Sequence, residues 1–175
     1  ALGEAPAEGW DVVVGGLGLG YTAGAVLEDA RVARLEVIEF LQPVIDWHEE
    51  RLVPLDPPLA DDRRCSLIQG DFFALAASPE GFGVPKDAIL IDIDHTPDWL
   101  LDQRSGSFYS EEGLRQLAGH LKPGGVMGLW SDALADEAFI ARMKTVFAEA
   151  WSEAVTFHNP LQDKPFTQTV YLARK

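Results

Sequence analysis

The chain has 175 residues, 47% of them hydrophobic, which supports one self-sufficient core and excludes whole-chain disorder. Acidic residues outnumber basic ones 28 to 14, and a net charge of −14 repels phosphate backbones, against a nucleic-acid partner. A single cysteine, Cys65, excludes a disulfide framework and a cysteine metal cluster, and apolar runs of only a few residues exclude a membrane-spanning helix.

Residues 1–9 are rich in Ala, Gly, Glu and Pro without periodicity and predict a flexible lead-in, leaving 10–175 as a single domain. The lead-in opens at Ala1 rather than Met, as a piece of a longer protein would. No basic segment followed by an apolar stretch precedes the first element, which predicts a cytoplasmic protein without a signal peptide. Asp11 to Val14 is a buried-strand run, and Ala23, Val26, Leu27 and Ala30 repeat at helical spacing after it. A second strand is expected at 33–40, then a helix carrying Leu41, Val44, Ile45, His48 and Leu52 on one face. Arg64 to Gln69 predicts a third strand, with Cys65 a buried, inert thiol, and Asp71 to Ala77 a short helix. Ala88 to Ile91 is apolar on both alternating faces, as a parallel central strand covered by helices requires. Leu114, Leu117, Ala118 and Leu121 mark a helix stopped by Lys122-Pro-Gly-Gly125, and Val126 to Trp130 reads as the fifth strand. Phe139, Met143, Val146, Phe147 and Ala150 form the last helical stripe, and 151–158 and 168–174 close the chain as an antiparallel pair. Most of the five tryptophans read as core, with Trp99 a candidate wall of an acceptor pocket.

Five strand–helix units followed by a hairpin predict an α/β fold with a mostly parallel sheet, whose ligands bind beyond the carboxyl ends of the strands. After the first strand, Gly15, Gly16, Gly18 and Gly20 permit a sharp turn and close approach of a ligand to the backbone. Glu39 ends the second strand 24 positions after Gly15, where a carboxylate can accept both ribose hydroxyls. Asp71, followed by Phe72, suits a helix N-cap and an adenine contact equally. Asp92, Asp94 and His95 form the densest chemical cluster, able to orient a cationic amine or take its proton; an Asx-bonded turn before Thr96-Pro97 is the plainer alternative. His48 lies on a helix stripe and reads as a core or boundary residue, while His120 and His158 lack partners at metal-ligand spacing, so no metal site is expected.

Taken together, Val13 to Gly20, Val37-Ile-Glu-Phe40, Gln69-Gly-Asp-Phe72, Ile89 to Asp94, Ser107 to Glu112 and Leu121-Lys-Pro-Gly-Gly125 resemble the spermidine synthase-like branch of the class I methyltransferase superfamily. The resemblance implies a Rossmann-like sandwich with a mostly parallel seven-stranded sheet and a C-terminal antiparallel hairpin. It further implies S-adenosylmethionine, or its decarboxylated form, held by Gly15, Gly16, Gly18, Gly20, Glu39, Asp71 and Phe72, with Asp92 against the attacking group. Two departures from the family pattern stand out. Gly18 replaces the Asp that spermidine synthases carry in the glycine loop, and Asp92-Ile-Asp-His-Thr-Pro97 replaces their Asp-Ser-Ser-Asp-Pro.

The leading expectation is a group transferase, with Asp92 orienting the acceptor and Asp94 or His95 as candidate bases. Loss of the loop Asp tilts the reading towards methyl transfer; the alternative is an aminopropyltransferase, a polyamine synthase using the decarboxylated donor. Gly18-Leu-Gly-Tyr-Thr-Ala23 also satisfies the dinucleotide pattern of an NAD-dependent oxidoreductase, and a non-catalytic nucleoside-binding module is a further alternative. The expected partner is a small-molecule acceptor, cationic in keeping with the acidic field, with neither nucleic acid nor membrane; a homodimer is the candidate assembly.

Overall fold

A computed structural model describes residues 9–93, 96–97 and 103–175. Seven strands form one sheet in the order β3-β2-β1-β4-β5-β7-β6. The strands are β1 (Trp10–Gly15), β2 (Val32–Glu39), β3 (Cys65–Gln69), β4 (Lys86–Ile91), β5 (Leu121–Ser131), β6 (Glu149–Asn159) and β7 (Lys164–Arg174). The first five are parallel, and β7 enters antiparallel between β5 and β6. The chain moves from β1 outwards to β2 and β3, then returns to place β4 on the other side of β1. That reversal opens a crevice between the carboxyl ends of β1 and β4.

The helices are α1 (Tyr21–Leu27), α2 (Gln42–Glu49), α3 (Phe72–Ala77), α4 (Glu111–Gly119) and α5 (Glu137–Met143). Strand alternation divides the core between the two faces of the sheet. Val12, Val14, Val37 and Ala88 pack on the face with Ala23 of α1 and Ile45 of α2. Val13, Ile89, Met127 and Leu129 pack on the other face with Leu114, Leu117, Phe139 and Met143. Side-chain caps start three helices: Asp71 accepts from Ala74 N–H, Ser110 from Gly113 N–H and Asp136 from Ala138 N–H.

Several element ends differ from the sequence reading. α5 stops at Met143, so Ala150 belongs to β6 instead of the helical stripe. α4 stops at Gly119, and Leu121 to Gly125 already belong to β5. α2 stops at Glu49, leaving Leu52 exposed beyond it. Past α4 and α5 the apolar spacing continues because Leu121 and Ala150 in the following strands also pack on the core, whereas Leu52 fits the spacing of α2 without being buried. Of the tryptophans expected in the core, Trp10 is buried, Trp130 and Trp151 are half-buried, and Trp47 on α2 is 48% exposed. No helix among the described residues is long and apolar enough to cross a membrane.

A buried cation joins three strands at the amino ends of the sheet. Lys86, 1% exposed, donates to Glu36 at 2.6 Å and Asp11 at 3.0 Å. Asp87 alongside accepts from Asp11 N–H and from Lys122.

The Cys65 thiol is partly buried in β3, and desolvation, helped by the nearby Asp62 carboxylate, pushes it up to about 11. Its thiolate is therefore scarce at pH 8, and iodoacetamide is expected to alkylate the folded protein about a hundredfold more slowly than the urea-unfolded chain. Timed mass spectrometry reads both rates, and equal rates would show that the fold does not shelter the thiol.

Candidate functional site

The loop joining β1 to α1 turns on three glycines with positive φ: Gly16 at 89°, Gly18 at 48° and Gly20 at 85°. Such values suit glycine because a Cβ would crowd the backbone there. At Gly16 space also forbids a side chain, since a Cβ would stand 2.3 Å from the Asp92 carbonyl oxygen. At Gly18 nothing lies within 4 Å of that position, so the loop is open on that side.

Gly15 and Gly20 serve packing. A Cβ at Gly15 would strike the Phe72 ring at 2.6 Å, and one at Gly20 would meet His48 Cε1 at 2.7 Å. The loop is tied down by Gly16 N–H to Ile38 O and Gly20 N–H to Leu17 O. Glu39 completes the tie: Oε2 accepts from Leu17 N–H at 3.0 Å and Oε1 from Leu41 N–H at 2.9 Å. Each carboxylate oxygen keeps acceptor capacity after one such bond.

A cavity of about 700 Å³ opens above these strand ends, within the size range of small-molecule sites. Five of the expected site residues line it: Gly16, Gly18, Glu39, Asp71 and Asp92. Phe72 lines it as well, but as a buried floor that stacks on Phe82 with ring centres 5.2 Å apart. Gly15 and Gly20 shape the loop from behind and do not line the cavity. Asp94, His95 and Trp99 lie outside the described residues.

Asp71 Oδ1 is used as the α3 cap, accepting from Ala74 N–H at 3.0 Å, while the residue itself is exposed. Asp92 is also exposed, with Oδ2 accepting from Thr22 Oγ1 at 2.7 Å. Thr22 sits in the first turn of α1, so the carboxylate is tethered across the crevice at the sheet's reversal point.

Three further contributors carried no sequence signal strong enough to be singled out. Phe40, 62% exposed, follows Glu39 on the cavity wall and offers an open ring face. Its place directly after the β2 carboxylate was the available clue. Phe108 and Gln116 reach the cavity from the segment after β4 and from α4, which only the folded chain brings near. His48, expected in a core or boundary position, is buried and bonded through Nε2 to Gly18 O at 2.9 Å.

No protein-family model matches the sequence, and no curated protein matches it significantly. Solved structures do match in fold. Spermidine synthase from Thermotoga maritima is similar with a TM-score of 0.70 at 19% identity, over 97% of this chain and 54% of that chain. A spermidine synthase in complex with the transition-state analogue AdoDATO gives 0.72 at 19% identity, over 97% of this chain and 56% of that one. Human methyltransferase-like protein 13 in complex with SAH gives 0.64 at 16% identity, over 93% and 71%. The chain thus spans just over half the length of the two spermidine synthases. With its strand order, reversed terminal hairpin and these similarities, the chain has the Rossmann-like fold shared by spermidine synthases and class I S-adenosylmethionine-dependent methyltransferases.

Proposed function

We propose that the chain binds S-adenosylmethionine, or its decarboxylated form, in the cavity above β1, β2 and β4 and transfers a group from it to a small-molecule acceptor. The observation that carries this reading is the convergence of the glycine loop, Glu39, Asp71 and Asp92 on one cavity in a fold whose solved examples include complexes with SAH and AdoDATO. The residues suit such a donor. Glu39 retains lone pairs for two ribose hydroxyls, and Asp71 retains its second oxygen for the amino edge of adenine. Phe40 supplies an exposed aromatic ring on the wall of the same cavity.

The bound donor brings a sulfonium already reactive towards nucleophiles, and the chain contributes binding and alignment. Asp92, held by Thr22, is the carboxylate placed to orient a cationic acceptor, with Asp94 and His95 as the candidate bases. Methyl transfer is the leading form of the reaction because Gly18 leaves the loop without an acidic side chain. The protein works on small molecules in the cytoplasm under this reading, with a homodimer as its candidate assembly.

Calorimetric titration of the purified protein with S-adenosylmethionine, decarboxylated S-adenosylmethionine and NAD separates the alternatives. Preference for S-adenosylmethionine is expected, followed by a screen of amine acceptors for methyl transfer. Preference for the decarboxylated donor would move the reaction to aminopropyl transfer, and binding of NAD alone would overturn the proposal. Donor binding without turnover on any acceptor would leave a nucleoside-binding module.

A further inference from the structure

We infer that His48 is a positioning residue that holds the glycine loop in its ligand-receiving shape from behind the cavity. This inference rests on the donor-binding reading above and adds a residue that touches neither donor nor acceptor. His48 is 2% exposed in the last turn of α2 and stands 30 positions from the loop carbonyl it meets. A carbonyl oxygen can only accept, so Nε2 carries the proton and donates to Gly18 O at 2.9 Å. The ring also fills the space that a Cβ on Gly20 would take, at 2.7 Å. Loop and imidazole therefore match in shape and in hydrogen bonding.

The loop needs such a hold at this point. Its other ties reach Gly16, Leu17 and Gly20, through Ile38 O, Glu39 Oε2 and Leu17 O. The Gly20 N–H to Leu17 O bond closes a turn around the Gly18–Leu19 peptide, but none of these ties bonds an atom of that peptide, which joins a glycine at φ 48° to a residue directly before another left-handed glycine. Glycines reach mirror-related conformations at little cost, so this peptide is the part of the loop most able to flip. In a trans peptide the carbonyl and the N–H point in opposite directions. By engaging Gly18 O, His48 also turns Leu19 N–H away from α2 and leaves one fixed pattern of backbone dipoles along the wall that Gly18 forms. A ligand then meets an ordered loop and does not bear the entropy of ordering it.

Two variants test the inference. His48→Phe keeps a ring against Gly20 and removes the donor; His48→Gln restores a side-chain donor of similar reach. Two readouts are taken: hydrogen exchange of the Gly20 amide in ligand-free protein and calorimetric affinity for S-adenosylhomocysteine. His48→Phe is expected to speed Gly20 exchange and to weaken binding by about tenfold each, as loss of one buried hydrogen bond implies. His48→Gln is expected to recover most of both. Unchanged exchange and affinity in His48→Phe would overturn the inference, as would equal losses in both variants, which would make the ring's packing the whole of its role. If the unaltered protein does not bind S-adenosylhomocysteine, the donor reading fails by itself. Faster Gly20 exchange in His48→Phe, rescued by Gln, would then still establish the hold on the loop.

Discussion

Replacing Glu39 with Ala is expected to weaken S-adenosylmethionine binding by two to three orders of magnitude. Hydrogen bonds to a charged group contribute about 1.5–3 kcal/mol each, so losing two to the ribose hydroxyls removes roughly 3–6 kcal/mol, with the lower half expected because the freed hydroxyls return to water. The same carboxylate holds Leu17 N–H and Leu41 N–H, so the truncation also frees both ends of the cavity wall between β2 and the glycine loop. A Glu39→Gln variant sharpens the test. Its amide nitrogen must face one of those two N–H donors, so it keeps volume while breaking one tie and the charge. Calorimetry on both variants, with the denaturation midpoint measured alongside, separates lost ligand contacts from lost structure. An Ala variant that binds within threefold of the unaltered protein would remove Glu39 from the donor site.

The largest effect on stability is expected at Lys86, at the opposite end of the sheet from the cavity. Its ammonium is buried between Glu36 on β2 and Asp11 on β1, and Arg34 provides Glu36 with a second, more exposed partner at 2.5 Å. Lys86→Ala leaves two carboxylates facing a buried gap with no cation between them. Breaking a buried pair from one side costs about 3–5 kcal/mol, and at this chain length each kcal/mol lowers Tm by roughly 2–4 °C. A fall of roughly 6–20 °C is therefore expected in calorimetric melting. A triple variant, Lys86→Met with Glu36→Gln and Asp11→Asn, removes the charges together and should recover most of that loss. Donor affinity should change little in the folded variants, because Lys86 starts β4 whereas the cavity lies beyond its other end. A loss below about 1 kcal/mol for Lys86→Ala would show that solvent relaxes into the cluster and that burial does not govern its energy.

The contrast between Glu39 and Lys86 shows which features a sequence carries openly. Glu39 was legible because a glycine loop, a strand end and a carboxylate at set spacing form a pattern along the chain. Asp71 and Asp92 were legible for the same reason, Asp92 directly following an apolar strand run and Asp71 coming one glycine after the third strand. The reading of Asp71 as cap or ligand contact stayed open in the sequence, and the fold assigns one of its oxygens to Ala74 N–H. Lys86 gave no such signal. A lysine before a strand ordinarily reads as solvated, and its partners stand 50 and 75 positions away. His48 was legible only as a buried-face residue, since nothing along α2 reveals that the Gly18 carbonyl waits above it.

By itself the sequence determined the strand–helix alternation, the parallel core with its closing hairpin, and the positions of the carboxylates at the strand ends. These follow from local rules: side-chain period, glycine conformational freedom and the chemistry of residues next to one another. Only the tertiary structure decided that β4 returns beside β1, so that Asp92 meets Thr22 across the crevice. It alone also decided that His48 supports the glycine loop, that Phe108 and Gln116 complete the cavity, and that Lys86 joins three strands. Those contacts depend on the register and order in which distant strands pair, which are set by burial of the whole core and leave no mark in any short stretch of chain.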